Sequence, residues 1–277
     1  MTFALDPRQL LDRALQAAAL AELDRALARL ECAAPGREDI HDARKSSKKL
    51  RAWLRLLKPS LKRRYRLVDG LLRDGARHLA ARRDIEVAGQ TLLRLRRGRH
   101  LTAAEFRMLE RALARLHPPS SDARDIDAAR ALYTAARVYL AEAAPAADIA
   151  QLRKRLACSQ AKCRRGLRRA SASRAADDLH AWRKQIKYYG YQCALVAPVI
   201  PEALSPVAAL KSLGEMLGLH HDFHLLGEHL ERCPPQTLPA ALRQHAQERV
   251  RQRMDRLARD AIRLGEVLFE PEHAPRR

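Results

Sequence analysis

Twenty residues, Ile40 to Pro59, read IHDARKSSKKLRAWLRLLKP, and a related stretch returns at Leu179 to Pro198 as LHAWRKQIKYYGYQCALVAP. At ~100° per residue, the period of an α-helix, His41, Arg44, Lys48, Arg51 and Arg55 share one side of the first stretch. Lys45 and Lys49 widen that side, and Ala43, Leu50, Trp53, Leu54 and Leu57 lie opposite. In the second stretch His180, Arg183, Lys184 and Lys187 stand where His41, Arg44, Lys45 and Lys48 stand, each 139 residues later. Trp182, Ile186, Tyr189, Cys193 and Val196 supply its apolar side. An amphipathic helix used twice implies an internal duplication. The chain must then build two related helical halves, each burying the apolar side of its own basic helix.

The polar side of these helices is of one sign. A surface helix ordinarily mixes Glu with Lys and gains from i,i+4 pairs, yet the acid within Ile40–Pro59 is Asp42 alone. Crowded cations repel, and an anion relieves them. The whole chain has the same bias: 53 Lys and Arg against 32 Asp and Glu, a net charge of +21. The partner expected is therefore an acidic polymer or surface. A merely solvated face would explain one such helix, but repetition of the His-Arg-Lys-Lys order argues for a shared task. Apolar residues make up 47%, enough for a core, and aromatics only 4%. The core is then mostly Leu, Ala and Val, and the regularity of the apolar stripes excludes a disordered polycation.

The rest of the chain reads as helices separated by turn signals. Asp6-Pro7 predicts a helix start, running to about Cys32 with Leu10, Leu11, Ala14, Leu15, Ala18, Leu23, Leu27 and Leu30 as its stripe. Further helices are expected over 61–82, 83–97, from Thr102 to 116, and over 122–143, 146–171, 176–197, 207–219 and 239–268. Thr102 with Glu105 forms a capping box, and Asp39 and Asp178 are candidate N-caps of the basic helices. No strand alternation is found. The fold class is all-α, some ten helices in two bundles. Pro118-Pro119-Ser120-Ser121-Asp122 marks the boundary between residues 1–120 and 121–277.

A second block also recurs: LAARRDIEV at 79–87 and LGLHHDFHL at 217–225, which aligns Asp84 with Asp222. The paired His-x-x-Arg-Lys-x-x-Lys motifs at His41 and His180, each followed by its block, resemble the CHAD domain, the conserved histidine α-helical domain. The resemblance runs from the first helix to the last. It implies two four-helix bundles related by a pseudo-two-fold axis, with the basic helices lining a central surface. It also implies binding of inorganic polyphosphate, in some members at polyphosphate granules. Members are often joined to a β-rich triphosphate-tunnel domain, of which this chain shows no trace, as in a stand-alone form. Carried over by position, the polyphosphate site would comprise His41, Arg44, Lys45, Lys48, Arg51 and Arg55, with His180, Arg183, Lys184 and Lys187. The second helix departs from the first beyond Lys187: Gly190 and Ala194 replace Arg51 and Arg55, and Tyr188 and Tyr191 enter the polar face.

Other chemistries are poorly served. There is no Gly-rich phosphate loop ending in Lys-Ser or Lys-Thr, no acid pair to hold Mg²⁺ beside a phosphate in transfer, and no Ser or Cys nucleophile with an evident base. No catalysis and no cofactor are expected. His220, His221 and His224 invite a metal reading, since His220 and His224 are i,i+4, but a third ligand is not evident beyond Asp222 or His229. No metal is expected. Asp84 and Asp222 are read as helix caps or partners of a neighbouring Arg. Nucleic acid is the alternative partner, held nonspecifically by the same charge. Stacking aromatics, which single strands usually require, are scarce. A granule scaffold that recruits other proteins is a further alternative. Five cysteines, odd in number and without a CxxC, suggest reduced, buried thiols. With no signal pattern and no membrane span, a soluble cytoplasmic protein is expected.

Overall fold

The computed structural model describes residues 3–32, 35–97, 101–116, 123–143 and 145–270, with backbone alone over 81–86. Among them there are ten α-helices and no strand, an all-α fold. In order they are α1 (Leu11–Leu30), α2 (Arg37–Leu56), α3 (Lys58–His78), α4 (Ala81–Arg97), α5 (Ala103–Leu116), α6 (Ala123–Ala141), α7 (Ile149–Ser173), α8 (Ala176–Val196), α9 (Val207–Arg232) and α10 (Ala240–Phe269). A 3₁₀ turn, Pro201–Leu204, precedes α9. The basic helices are α2 and α8.

By packing, the chain forms two compact units drawn from interleaved segments. The first comprises Met1–Ala81, Asp122–Arg164 and Lys184–Lys211; the second comprises Arg82–Ser121, Arg165–Arg183 and Ser212–Arg277. The unit boundaries therefore fall inside α7, α8 and α9. A cut between residues 120 and 121 follows the sequence repeat; the packing follows a different partition.

In the first unit α1 packs on α2 and α6, and α3 packs on the same two, a closed ring of four neighbours. The apolar side of α2 points into it: Ala43, Leu50, Trp53, Leu54 and Leu57 are all buried, as their spacing predicts. Trp53 keeps its indole N–H satisfied by donating to the Leu15 carbonyl at 2.8 Å, as a buried Trp requires. On α3, Gly75 lets the ring of Tyr133 from α6 lie against the backbone. A Cβ there would stand 2.5 Å from Tyr133 Cε1. In the second unit, α4, α5, α9 and α10 share a core that includes Leu92, Leu95, Leu109, Phe223, Leu226 and Leu230. Nearby, the indole of Trp182 on α8 is seated against Gly166 of α7 and Gly265 of α10.

Several local expectations change. Asp6 does not cap α1; its carboxylate takes the Arg8 N–H at 2.9 Å and holds a turn. The helix begins only at Leu11, and Leu10 is 67% exposed. The helix expected to stop near Leu219 continues to Arg232, because Phe223, Leu226 and Leu230 carry its apolar stripe into the second core. The thiols are free, but Cys32 and Cys158 are exposed; only Cys163, Cys193 and Cys233 are buried. The Pro118–Asp122 stretch lies outside the described residues.

Candidate anion-binding site

Asp39 and Asp178 are not N-caps; each is the third residue of its basic helix. The Asp39 carboxylate reaches back to the Gly36 N–H at 3.0 Å and accepts from Arg29 of α1, also at 3.0 Å. Those two contacts hold it below the usual carboxylate range. Asp178 accepts from the Ser173 hydroxyl and from Arg169 of α7, both at 2.6 Å. In both places an Arg of the preceding helix grips an acid in the first turn, where the helix dipole favours negative charge. The first turn of each basic helix thus carries the same kind of contact, an Arg from the helix before it on an acid at the third position.

Along α2, His41 and Lys45 are exposed, while Arg44, Lys48, Arg51 and Arg55 are half-buried. Arg44 donates through Nη1 to the carbonyl of Ala76 on α3. Lys49 belongs to the core rather than the polar side: at 2.9 Å it donates to Glu22, whose side chain is 1% exposed. Glu22 also accepts from Ser46 and Arg25. Burial opposes its charge, yet those donors win and its pKa falls. Arg51 donates through Nε and Nη2 to the two oxygens of Asp69 on α3, at 2.9 and 3.3 Å. Arg55 donates through Nη1 to Asp69 at 3.2 Å and to the Arg51 carbonyl at 2.9 Å. Burial disfavours charge on both partners, but the pairing prevails: Arg51 is raised and Asp69 lowered.

The two basic helices meet within the first unit. The Arg55 guanidinium lies 4.0 Å from the ring centre of Tyr188 on α8, a cation–π stack. One turn on, Gln192 donates to the Ala52 carbonyl at 3.0 Å. Lys187 directly precedes Tyr188, and Lys184 stands exposed one turn earlier. The cationic stripe ends at Gly190 because that face of α8 is covered: a Cβ there would meet Leu210 Cβ at 3.6 Å. The first unit also adds cations that the motif does not contain. Arg155 of α7 donates to the Arg55 carbonyl at 3.0 Å. Lys162, two turns further along α7, has its pKa lowered by partial burial and by repulsion from Arg155, Arg55 and Lys58. The seven-residue spacing of Arg155 and Lys162 on one helical face was the available signal.

His180 and Arg183 belong to the second unit, where they explain why the two repeated blocks travel together. The His180 ring lies 3.9 Å from that of His221, centre to centre. One turn away, Gly218 lets the Arg183 guanidinium lie along α9; a Cβ at Gly218 would stand 3.3 Å from Arg183 Nε. The block LGLHHDFHL is thus the seat of His180 and Arg183. Asp84, its counterpart in the first repeat, lies outside the described side chains. Burial, then His224, push His220 down to about 4. Burial, then His180 and Arg183, push His221 down to about 3. His224 lies 3.4 Å from Glu228. Among the described residues no group of three or more His, Cys, Asp or Glu is placed to hold a metal ion, and no helix is long and apolar enough to cross a membrane.

A family model, the CHAD domain, matches residues 13–231. That is most of the chain, from α1 almost to the end of α9, and the chain belongs to the CHAD domain family. Helix α10 lies beyond the matched residues. No curated protein and no solved structure matches the chain.

Proposed function

We propose that this protein binds inorganic polyphosphate without transforming it. The observation that carries the reading is the crowding of like charge where α2, α7 and α8 meet in the first unit. There burial, and after it repulsion from Arg155, Arg55 and Lys58, lowers the proton affinity of Lys162, and Arg155 donates to the Arg55 carbonyl at 3.0 Å. A site that repels its own cations gains when an anion arrives. Lys45, Lys48, Lys184 and Lys187 extend the cationic surface along the two helices, a ladder rising ~5 Å per turn, suited to a linear chain of phosphates. His41, Arg44 and Arg51 on α2 complete the proposed ligand set of the first unit; His180 and Arg183, at the start of α8, are proposed as phosphate ligands within the second unit. Membership of the CHAD family is consistent with polyphosphate binding.

Two aromatic rings in the first unit's basic region carry cations: Tyr188 carries Arg55, and Lys58 lies 5.2 Å from the centre of the Tyr65 ring. Bases have no stacking platform on those faces, which favours a phosphate polymer over single-stranded nucleic acid. We read the recurring Arg-to-acid clamps as a mark of internal duplication, and the ring formed by α1, α2, α3 and α6 as the first of two bundles. In the cell the protein would act in the cytoplasm, at polyphosphate granules.

Titration with long-chain polyphosphate and with duplex DNA, at matched phosphate from low to physiological salt, tests this reading. Polyphosphate binding is expected to persist at physiological salt, with the polymer recovered intact in Mg²⁺, while DNA binding disappears. Lys45→Glu combined with Lys184→Glu, both exposed, should weaken polyphosphate binding about tenfold or more at unchanged helicity. Equal decay of both ligands with salt would leave only a general polyanion surface, and Mg²⁺-dependent phosphate release would make the protein an enzyme.

A further inference from the structure

We propose that Asp69 is a built-in counter-ion of the polyphosphate site, occupying the place of a ligand phosphate between Arg51 and Arg55 and limiting affinity until the polymer displaces it. The inference rests on the reading above and names a residue that no motif of the chain contains. Asp69 comes from α3, a helix otherwise dense in Arg. Its carboxylate takes Nε and Nη2 of Arg51 and Nη1 of Arg55. The Arg51 edge it occupies is the fork with which a guanidinium grips two oxygens of a phosphate. Its side chain is 15% exposed, against 19% for Arg51 and 26% for Arg55, so the trio remains open to solvent on one side.

An acid beside two arginines can act by orienting them or by cancelling their charge. Orientation is secured for Arg55 by other means: its guanidinium is stacked on Tyr188 and bonded to the Arg51 carbonyl. Arg51 and Arg55 are four residues apart on one helix, already on the same face. Asp69 holds the fork of Arg51, a task that a neutral acceptor of the same shape would keep in part, and it supplies the negative charge that reduces two cations to one net charge at the junction of α2 and α8. Polyanion binding is governed by the number of phosphates neutralised. Removing that charge must therefore strengthen binding rather than weaken it.

The test is Asp69→Asn, which keeps shape and one hydrogen-bond acceptor. Long-chain polyphosphate should bind about tenfold more tightly near 50 mM salt, with a salt slope steeper by about 0.7 to 0.9. Binding that is unchanged or weaker in a folded variant overturns the proposal and leaves Asp69 as an orienting residue. A second measurement uses the unmodified protein, so it stands even where the variant fails to fold. The ¹³C resonance of the Asp69 carboxyl should move as polyphosphate saturates the site, because its two guanidinium partners exchange it for phosphate; a resonance that stays fixed at saturation overturns displacement. If the unmodified protein binds no polyphosphate at all, the parent reading falls and takes this inference with it. If it binds normally and Asp69→Asn changes nothing, only the inference falls.

Discussion

His220 and His221 sit where a positive charge is least welcome, and this makes the fold sensitive to acid. Burial first, then His224 for His220, and His180, Arg183 and the adjoining histidines for His221, hold their native pKa values near 4 and 3, against an ordinary value of 6.5. The unfolded chain takes up these protons as pH falls through 6.5, while the native protein stays neutral until far lower. Stability therefore declines as pH drops from about 6.5 toward 4, read as a falling denaturation midpoint. His220→Leu should flatten that decline; an equal slope in the variant would remove His220 as a cause. The seats of Trp182 are a second single-residue constraint. A Cβ on Gly265 would stand 2.7 Å from the ring, and one on Gly166 would stand 2.6 Å from it. Trp182 is 1% exposed and has nowhere to retreat. Gly265→Ala should cost about 1–3 kcal/mol through overpacking, against a gain of about 0.5–1 kcal/mol for Gly70→Ala inside α3, where nothing lies within 4 Å and alanine is the better helix former. Equal effects at the two positions would show that the Trp182 pocket gives way easily.

Helix by helix, the elements best legible in sequence are those that carry their own boundary chemistry. Both halves of the capping box that Thr102 and Glu105 predict are formed: Glu105 Oε2 takes the Thr102 N–H at 2.8 Å, and Thr102 Oγ1 takes the Glu105 N–H at 3.2 Å. Thr102→Ala should accordingly cost about 1 kcal/mol, measured as a shift in the urea midpoint; no shift would mean that α5 is held by packing alone. The apolar sides of α2 and α8 were equally legible, because helical periodicity is local. What resisted reading was set by distant partners. Leu10 fits the stripe of α1 by spacing, yet the chain before Leu11 is tied into a turn by Asp6. The far half of α9 is helical because the second core requires it, and the partners that bury Phe223, Leu226 and Leu230 lie on other helices, out of reach of a local reading. The face on which each cation of the motif sits was predictable. That Lys49 serves buried Glu22, and that Arg51 and Arg55 share Asp69, was not, since those acids lie on other helices.

Over the whole molecule, the repeat in sequence and the partition in space do not coincide. The first compact unit needs residues as far as Lys211, and the second reaches from Arg82 into the last segment. On a ribosome, the stretch Met1–Ala81 emerges long before its remaining partners, Asp122–Arg164 and Lys184–Lys211. At ordinary rates of synthesis that wait is on the order of ten seconds. Through it the apolar sides of α1 and α3 that α6 later covers lie open beside a strongly cationic face. A messenger broken near codon 120 would encode neither unit whole, so no shortened product could retain half of the activity. The interleaving that joins the two units also makes the gene an all-or-nothing inheritance.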